Sequence, residues 1–189
     1  MKKILFLAVL GFMSFISFAQ GTIDLSVKWN SALSRYEVYG KPSFTSASFT
    51  WGFSQVTVVV PASAPDALLL VSSVNSGGWG LAASNQVFAP ASAPSNDFNG
   101  VLSSGKTVAL TAGQETLLFT FTFPDGLCRD GVRLFVNASD PSSSASGMKG
   151  GDYKNVIDNG LVADVYNSNY SNTGTTCSTC AITAPELIK

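Results

Sequence analysis

Few side chains in this sequence are suited to catalysis, because the chain contains no histidine. Nucleophilic triads and dyads that use a histidine base are therefore absent. The twelve acidic residues form no evident acid–base pair along the chain, although pairs that form in space are not visible in a sequence. A serine–lysine dyad would need Lys106, Lys149 or Lys154 to be buried, and the first two lie in Gly- and Ser-rich turns. The sequence thus predicts a protein that is not an enzyme.

Aromatic residues in polar surroundings indicate a different chemistry, which is stacking against sugar rings. Sugar-binding proteins place Trp or Tyr rings against pyranose faces and surround them with amide and carboxylate groups. Trp79 follows the turn residues Gly77-Gly78, which favours a ligand-facing position. Trp51 shares its parity with Phe49 and Phe53, which favours the core. The predicted carbohydrate-binding residues are Trp79, Tyr153, Tyr170 and Asn75.

Acidic residues in one Gly- and Ser-rich segment suggest a metal site. Ca²⁺ takes six to eight oxygen ligands from carboxylates, amides and backbone carbonyls. The hypothesis is a calcium site formed by Asp140, Asp152, Asn155 and Asp158, although their spacing does not match an EF-hand. The alternative is that Asp140 and Asp152, each next to a Pro or a Gly, only form turns.

The three cysteines are Cys128, Cys177 and Cys180. The last two have C-x-x-C spacing, which can indicate redox chemistry or half of a zinc site. A four-ligand zinc site lacks ligands here, because there is no histidine and no second such pair. The favoured prediction is a disulfide from Cys128 to Cys177 or to Cys180, which leaves one cysteine over.

The first nineteen residues predict a signal peptide, with Lys2 and Lys3 before an apolar run and cleavage after Ala19. A membrane anchor is the alternative, but the run is shorter than the roughly 20 residues of a membrane span. Residues 20–180 would form one domain and residues 181–189 a tail. Without the leader the chain has nine basic and twelve acidic residues. This mildly acidic balance argues against a nucleic-acid partner.

Alternating side chains predict strands. In residues 116–124, TLLFTFTFP, Leu117, Phe119, Phe121 and Phe123 share one parity, so this strand should lie against a core. Residues 22–29 and 35–39 predict a hairpin that Gly40-Lys41-Pro42 interrupts. Between Phe53 and Val56 the apolar parity switches, which requires a bulge or crossover near Gly52-Phe53-Ser54.

Further strands are expected at 67–74, around Val87-Phe88, at 107–110, and at 132–136 as the neighbour of 116–124. Residues 137–159 have no periodicity, and long loops of this kind are usually functional or mobile. Residues 161–166 predict a closing strand. Eight to ten short strands with Gly and Pro turns predict an all-β fold, a two-sheet antiparallel β-sandwich of the jelly-roll type.

An early hairpin, the segment FTWGFSQVTVVVPASAPDALLLVSSV, the strand LLFTFTF and the segment DGVRLFVN follow one another over most of residues 23–180. This order resembles the cohesin-like and carbohydrate-binding-module-like sandwiches of exported bacterial proteins. The chain is also similar to a module of large surface proteins of the Bacteroidota type. The resemblance to cohesins implies that a sheet surface, rather than a short motif, binds the partner.

Together these features predict an exported, non-catalytic binding or adhesion module. Its partner would be a glycan or a protein at or outside the cell surface, with the periplasm as a further compartment. The alternative is a structural module that joins envelope or extracellular proteins through a sheet edge or face and has no small ligand. No cofactor other than calcium is expected, and no membrane span is expected in the mature chain.

Overall fold

The computed structural model describes residues 21–74, 77–103, 105–161 and 163–177. The predicted signal peptide, the tail 181–189, Asn75 and Cys180 lie outside these ranges. Within them every regular element is a strand, and there is no helix that could cross a membrane. The strands are β1 (Ile23–Asn30), β2 (Arg35–Pro42), β3 (Ser46–Thr50), β4 (Gln55–Pro61), β5 (Leu70–Ser73), β6 (Gly80–Val87), β7 (Asn96–Leu102), β8 (Thr107–Leu110), β9 (Thr116–Thr122), β10 (Arg133–Leu134) and β11 (Tyr166–Asn169).

Two main sheets pack against each other as a β-sandwich, which confirms the predicted fold class. One sheet has the order β11-β1-β2-β9-β5, and the other has the order β10-β4-β7-β6. Buried side chains from both sheets, such as Leu25 and Phe119 from the first and Val58 from the second, belong to one hydrophobic cluster. The strands pair antiparallel except for β1 and β11, which run parallel. β3 and β8 form a separate two-stranded sheet.

The predicted change of parity in residues 44–60 is confirmed. The segment breaks at residues 51–54, and its two halves enter different sheets as β3 and β4. Phe53 lies in the break and is 93% exposed, whereas Trp51 is buried, as its parity predicts. The break is fixed by hydrogen bonds from Gly52 N to the Asp158 carbonyl and from Ser103 N to the Ser54 carbonyl.

In residues 116–124, which contain β9, the predicted burial of one set of alternating residues holds for three of the four. Phe119, Phe121 and Phe123 are buried in the core. The pairing of β9 with β2 shifts between Val38 and Tyr39, so Leu118 is also buried while Leu117 pairs with Tyr39. The prediction for Leu117 is therefore wrong, because this bulge reverses the direction of the side chains that precede it.

Three further strand predictions need correction. Residues 133–134 do not neighbour β9; as β10 they pair with Val58 and Val59 of β4, in the other sheet. The closing strand lies at Tyr166–Asn169 rather than at 161–166. Gly40-Lys41-Pro42 does not interrupt the hairpin, because β2 continues through Pro42 and pairs with β1 there.

Residues 137–159 cover the outer face of the four-stranded sheet. Beneath them lies a second hydrophobic cluster, formed by Val59, Val87, Phe98, Phe135, Met148 and Tyr153. Asn155 ties the cover down: its Oδ1 accepts a hydrogen bond from Thr57 N at 2.8 Å, and its Nδ2 donates to the Phe135 carbonyl at 2.7 Å. This arrangement explains why β4 is buried on both faces.

The outer face of the five-stranded sheet has no second apolar cluster in the described part of the chain. On β1 and β2, the alternate residues whose side chains point away from the core supply the polar groups of this face. Because no apolar cluster of the described residues covers this face, a ligand can reach the sheet surface there.

A disulfide joins Cys128 to Cys177, which decides between the two predicted pairings.

Candidate ligand-binding face

Two of the predicted sugar-binding rings are buried. Trp79 is 4% exposed and lies between Trp51 and Phe119, with ring centroids 5.7 and 5.5 Å away. Tyr153 is 3% exposed and packs near Phe98 under the cover of residues 137–159. A ring that is enclosed by other rings cannot stack on a sugar, so the prediction of a ligand-facing role is wrong for Trp79 and Tyr153.

Each of the four residues of the calcium hypothesis makes hydrogen bonds to different protein groups. Both carboxylate oxygens of Asp140 bind the Arg133 guanidinium, at 2.6 and 2.7 Å. Asp152 accepts a hydrogen bond from Lys154 N, and Asp158 accepts one from Gly160 N. Asn155 is buried in the bonds described above, and no group of three or more His, Cys, Asp or Glu converges among the described residues. The structure therefore does not assemble the predicted calcium site.

Tyr170 lies on the open face of the five-stranded sheet. It follows β11, and its backbone N–H donates to the Leu25 carbonyl of β1. On β2 the outward residues alternate as Glu37, Tyr39 and Lys41, and Tyr39 stands directly opposite Ser26 of β1. The two half-buried tyrosines therefore flank Ser26 from either side. We call this surface the tyrosine face, and its residues are Asp24, Ser26, Lys28, Glu37, Tyr39, Lys41, Glu115 and Tyr170.

Carboxylates and hydroxyls connect the tyrosine face. The Tyr39 hydroxyl donates to Glu37 Oε2 at 2.6 Å, and the Tyr170 hydroxyl donates to Glu115 Oε1 at 2.9 Å. Lys28 Nζ donates to both oxygens of Glu115 at 2.6 Å. These bonds hold both rings in fixed positions on the sheet surface.

A lysine ammonium group also lies over each of the two tyrosine rings. Lys28 Nζ lies 4.9 Å from the centroid of Tyr39, and Lys41 Nζ lies 5.8 Å from that of Tyr170. Both distances are within the range of a cation–π contact. Beside Tyr170 there is a cleft of about 400 Å³, lined by Asp24, Lys41, Pro42, Ser43, Gly113 and Tyr170.

The carboxyls of Glu37 and Glu115 and the phenol of Tyr39 stay in their ordinary charge states near neutral pH. Burial alone would raise the pKa of Glu37, but hydrogen bonds from Tyr39, Arg35 and Asn30 lower it overall. Burial likewise opposes the lowering of the Glu115 pKa by hydrogen bonds from Lys28 and Tyr170. Burial and the contact with Glu37 raise the pKa of Tyr39 to about 12.

A second cleft, of about 390 Å³, opens between β3 and residues 159–161. Ser46, Ser48 and Thr50 supply hydroxyl groups, and Leu161, 82% exposed, lies at its rim. None of the described residues that line this cleft is charged. It is a weaker candidate for a polar ligand than the tyrosine face.

Sequence reasoning found Tyr170 but missed Glu37, Tyr39 and Lys41. The signal was present in the alternation of RYEVYGK, where Tyr36 and Val38 face the core and the intervening residues must therefore face outward. Glu115 lies in a turn, and its place beside Lys28 depends on the three-dimensional pairing of distant strands.

The fold places the chain among β-sandwich proteins, and within the ranges that the structure describes no apolar cluster covers the tyrosine face. No protein-family model, curated protein or solved structure matches the chain.

Proposed function

We propose that the protein is an exported, non-catalytic module that binds a glycan at or outside the cell surface through its tyrosine face. The observation that carries this proposal is the pair of half-buried rings, Tyr39 and Tyr170, on a sheet face that no apolar cluster of the described residues covers. Asp24 and Glu115 lie beside the rings and can accept hydrogen bonds from sugar hydroxyls, whereas the buried Glu37 holds Tyr39 in place. A ring with polar groups at its edge is the arrangement that favours stacking on a pyranose.

The charge states of the site support a binding role rather than catalysis. A general acid that works near neutral pH needs a carboxyl with a raised pKa. The pKa of Glu37 and the pKa of Glu115 are both lowered, and those of Tyr39 and Tyr170 are raised. The Cys128–Cys177 disulfide supports export, because such bonds persist in oxidising compartments.

A glycan array followed by titration calorimetry tests the proposal. We expect at least one glycan to bind, and Tyr39→Ala and Tyr170→Ala each to weaken it about tenfold or more, since each removes a stacking surface. Phe53→Ala is the matched control, because it removes an exposed ring outside the tyrosine face. Absence of any glycan signal, or equal binding by all three variants, would contradict the proposal. Capture of one dominant envelope protein, lost in the tyrosine variants, would favour a protein partner instead.

One observation favours the alternative, assembly through a sheet edge. No charged residue occurs between Asp66 and Asp97, the stretch that contains edge strands β5 and β6. Charges are one means by which exposed edges avoid pairing. A bulge between Leu81 and Gln86 interrupts β6, however, and bulges also protect edges. Sedimentation velocity distinguishes the two functions: a concentration-dependent dimer abolished by Ala83→Lys would support assembly, and a monomer at all concentrations would count against self-assembly.

A further inference from the structure

The lysines of the tyrosine face occupy the ring surfaces that a sugar would use. Lys28 covers Tyr39 and Lys41 covers Tyr170. Both lysine side chains are flexible, and both residues are exposed to solvent. A stacking ligand must therefore displace an ammonium group from each ring that it contacts.

Displacement of the lysines would leave a face rich in negative charge. The remaining charged groups are Asp24, Glu37, Glu115 and Arg35, and Arg35 is already paired with Glu37 at 2.7 Å. Glu115 would lose its only ion pair in the described residues, the one with Lys28 at 2.6 Å. A neutral sugar could not replace that interaction, and an acidic sugar would be repelled by the same carboxylates.

Ser26 gives an independent indication that the face is built for a polar ligand. Its side chain lies between the two tyrosines, is 0% exposed, and its Oγ makes no hydrogen bond of normal geometry. The hydroxyl is nevertheless close enough to Tyr170 to oppose the rise in the pKa of that phenol, which burial causes. Buried hydroxyls without a hydrogen bond of normal geometry are rare, and a ligand group that moves the Tyr170 ring aside would reach this one.

We propose that the glycan bound by the tyrosine face carries free amino groups, as in polymers of 2-amino sugars, and that its ammonium groups replace Lys28 and Lys41. On binding, a sugar ammonium lies over a tyrosine ring and pairs with Glu115, and the displaced lysine extends into solvent. The protein's own lysines thus compete with the ligand. This inference rests on the proposed function and adds the substrate class.

Calorimetry with four oligosaccharide types tests the inference: glucosamine oligomers, their N-acetylated forms, neutral glucose oligomers and uronate oligomers of equal length. We expect glucosamine oligomers to bind about tenfold or more tightly than the others at pH 5.5, where the amine is protonated, with the preference decreasing as the pH rises. Glu115→Gln should weaken this binding severalfold. Lys41→Met should strengthen it, whereas Lys106→Met, which removes an equal charge outside the tyrosine face, should not.

Other outcomes separate this inference from the proposed function. If acetylated, neutral or acidic oligomers bind as tightly as glucosamine oligomers, and Tyr170→Ala still abolishes binding, the amine preference is wrong while the glycan function stands. If a lysine hexapeptide binds as tightly as the amino sugar, the face recognises any cation and the inference is overturned. If no oligosaccharide binds in any assay, both proposals fail. Thermal melting of each variant checks that the fold is retained.

Discussion

Asp97 is buried between the two sheets with one carboxylate oxygen unsatisfied. Its Oδ1 accepts a hydrogen bond from Ala89 N at 2.8 Å, and its Oδ2 has no partner among the described residues. Burial raises the pKa of Asp97, the bond from Ala89 opposes this effect, and the charge of Asp66 adds to it. A buried carboxylate with one free oxygen destabilises the fold when it is ionised.

Asp97→Asn should therefore raise the free energy of unfolding at neutral pH by roughly 1 kcal/mol. In the natural chain the pKa of Asp97 is higher in the folded state than in the unfolded state. Between these two pKa values the folded state holds a proton that the unfolded state has released. Stability then falls as the pH rises from about 3.9 toward the raised pKa. Urea unfolding between pH 3 and 8 should show that the difference in unfolding free energy between the variant and the natural chain grows over this pH range, because the other carboxyls titrate in both proteins. Equal pH dependence in both proteins would contradict the assignment, and Asp152→Asn, at an exposed site that does not act on Asp97, is the control.

At the same scale, the error over Trp79 shows what a sequence cannot supply. A tryptophan after two glycines has the local features of an exposed turn residue. Its burial depends on Trp51 and Phe119, which come from distant parts of the chain. Residue type predicted an aromatic binding site, but the packing decides which rings are buried: it encloses Trp79 and Tyr153 and leaves Tyr39 and Tyr170 half-buried.

At the scale of elements, residues 137–159 are a structural cover rather than a free loop. Asn155 anchors them to β4 through Thr57 N and to the end of β10 through the Phe135 carbonyl. Since Asn155 is 0% exposed, its removal would leave the Thr57 N–H without a partner in a place that water does not reach, and the Phe135 carbonyl would keep only its bond from Asn169 Nδ2.

Asn155→Ala should lower the free energy of unfolding by roughly 2–4 kcal/mol. It should also speed amide hydrogen exchange across residues 137–157 more than in β1 and β2. Asn167→Ala is the matched control, because Asn167 is exposed and bonds only the Asp24 side chain. A cover that exchanges as slowly as in the natural chain would show that Asn155 does not hold it.

Alternation predicted the elements well where a strand has one buried face. The hairpin of β1 and β2 and the break at residues 51–54 follow from parity alone. The prediction placed residues 132–136 beside β9, which is the wrong sheet, because so short a strand carries no information about its partner. The prediction for Leu117 was wrong because a bulge changes the alternation of side chains locally. β4 shows that a strand buried on both faces has no apolar–polar alternation.

At the scale of the whole molecule, the Cys128–Cys177 disulfide joins segments 49 residues apart. Close to it, the Tyr36 hydroxyl donates to the Arg129 carbonyl at 2.8 Å and accepts from Arg129 N. The disulfide therefore fixes the C-terminal segment close to Tyr36, whose ring packs against Phe121 and Phe123 in the core.

Cys128→Ser should lower the free energy of unfolding by roughly 2–5 kcal/mol, because the unfolded chain loses a constraint on a long loop. Cys180→Ser is the matched control and should leave stability unchanged. Iodoacetamide applied to the unreduced, unfolded protein should label Cys180 alone, as peptide mass spectrometry would show. Label on Cys128 or Cys177, or no label at all, would contradict this pairing.

In the described part of the chain the sandwich has two unlike sides, one covered by residues 137–159 and one that presents a polar sheet, and we propose that the polar sheet binds the ligand. Chemical-shift mapping by nuclear magnetic resonance, with the best oligosaccharide from the array, tests this assignment most directly. We expect the shifted amides to cluster around Ser26, Tyr39 and Tyr170. Shifts confined to the cleft at β3 and residues 159–161, or to the cover at 137–157, would contradict it.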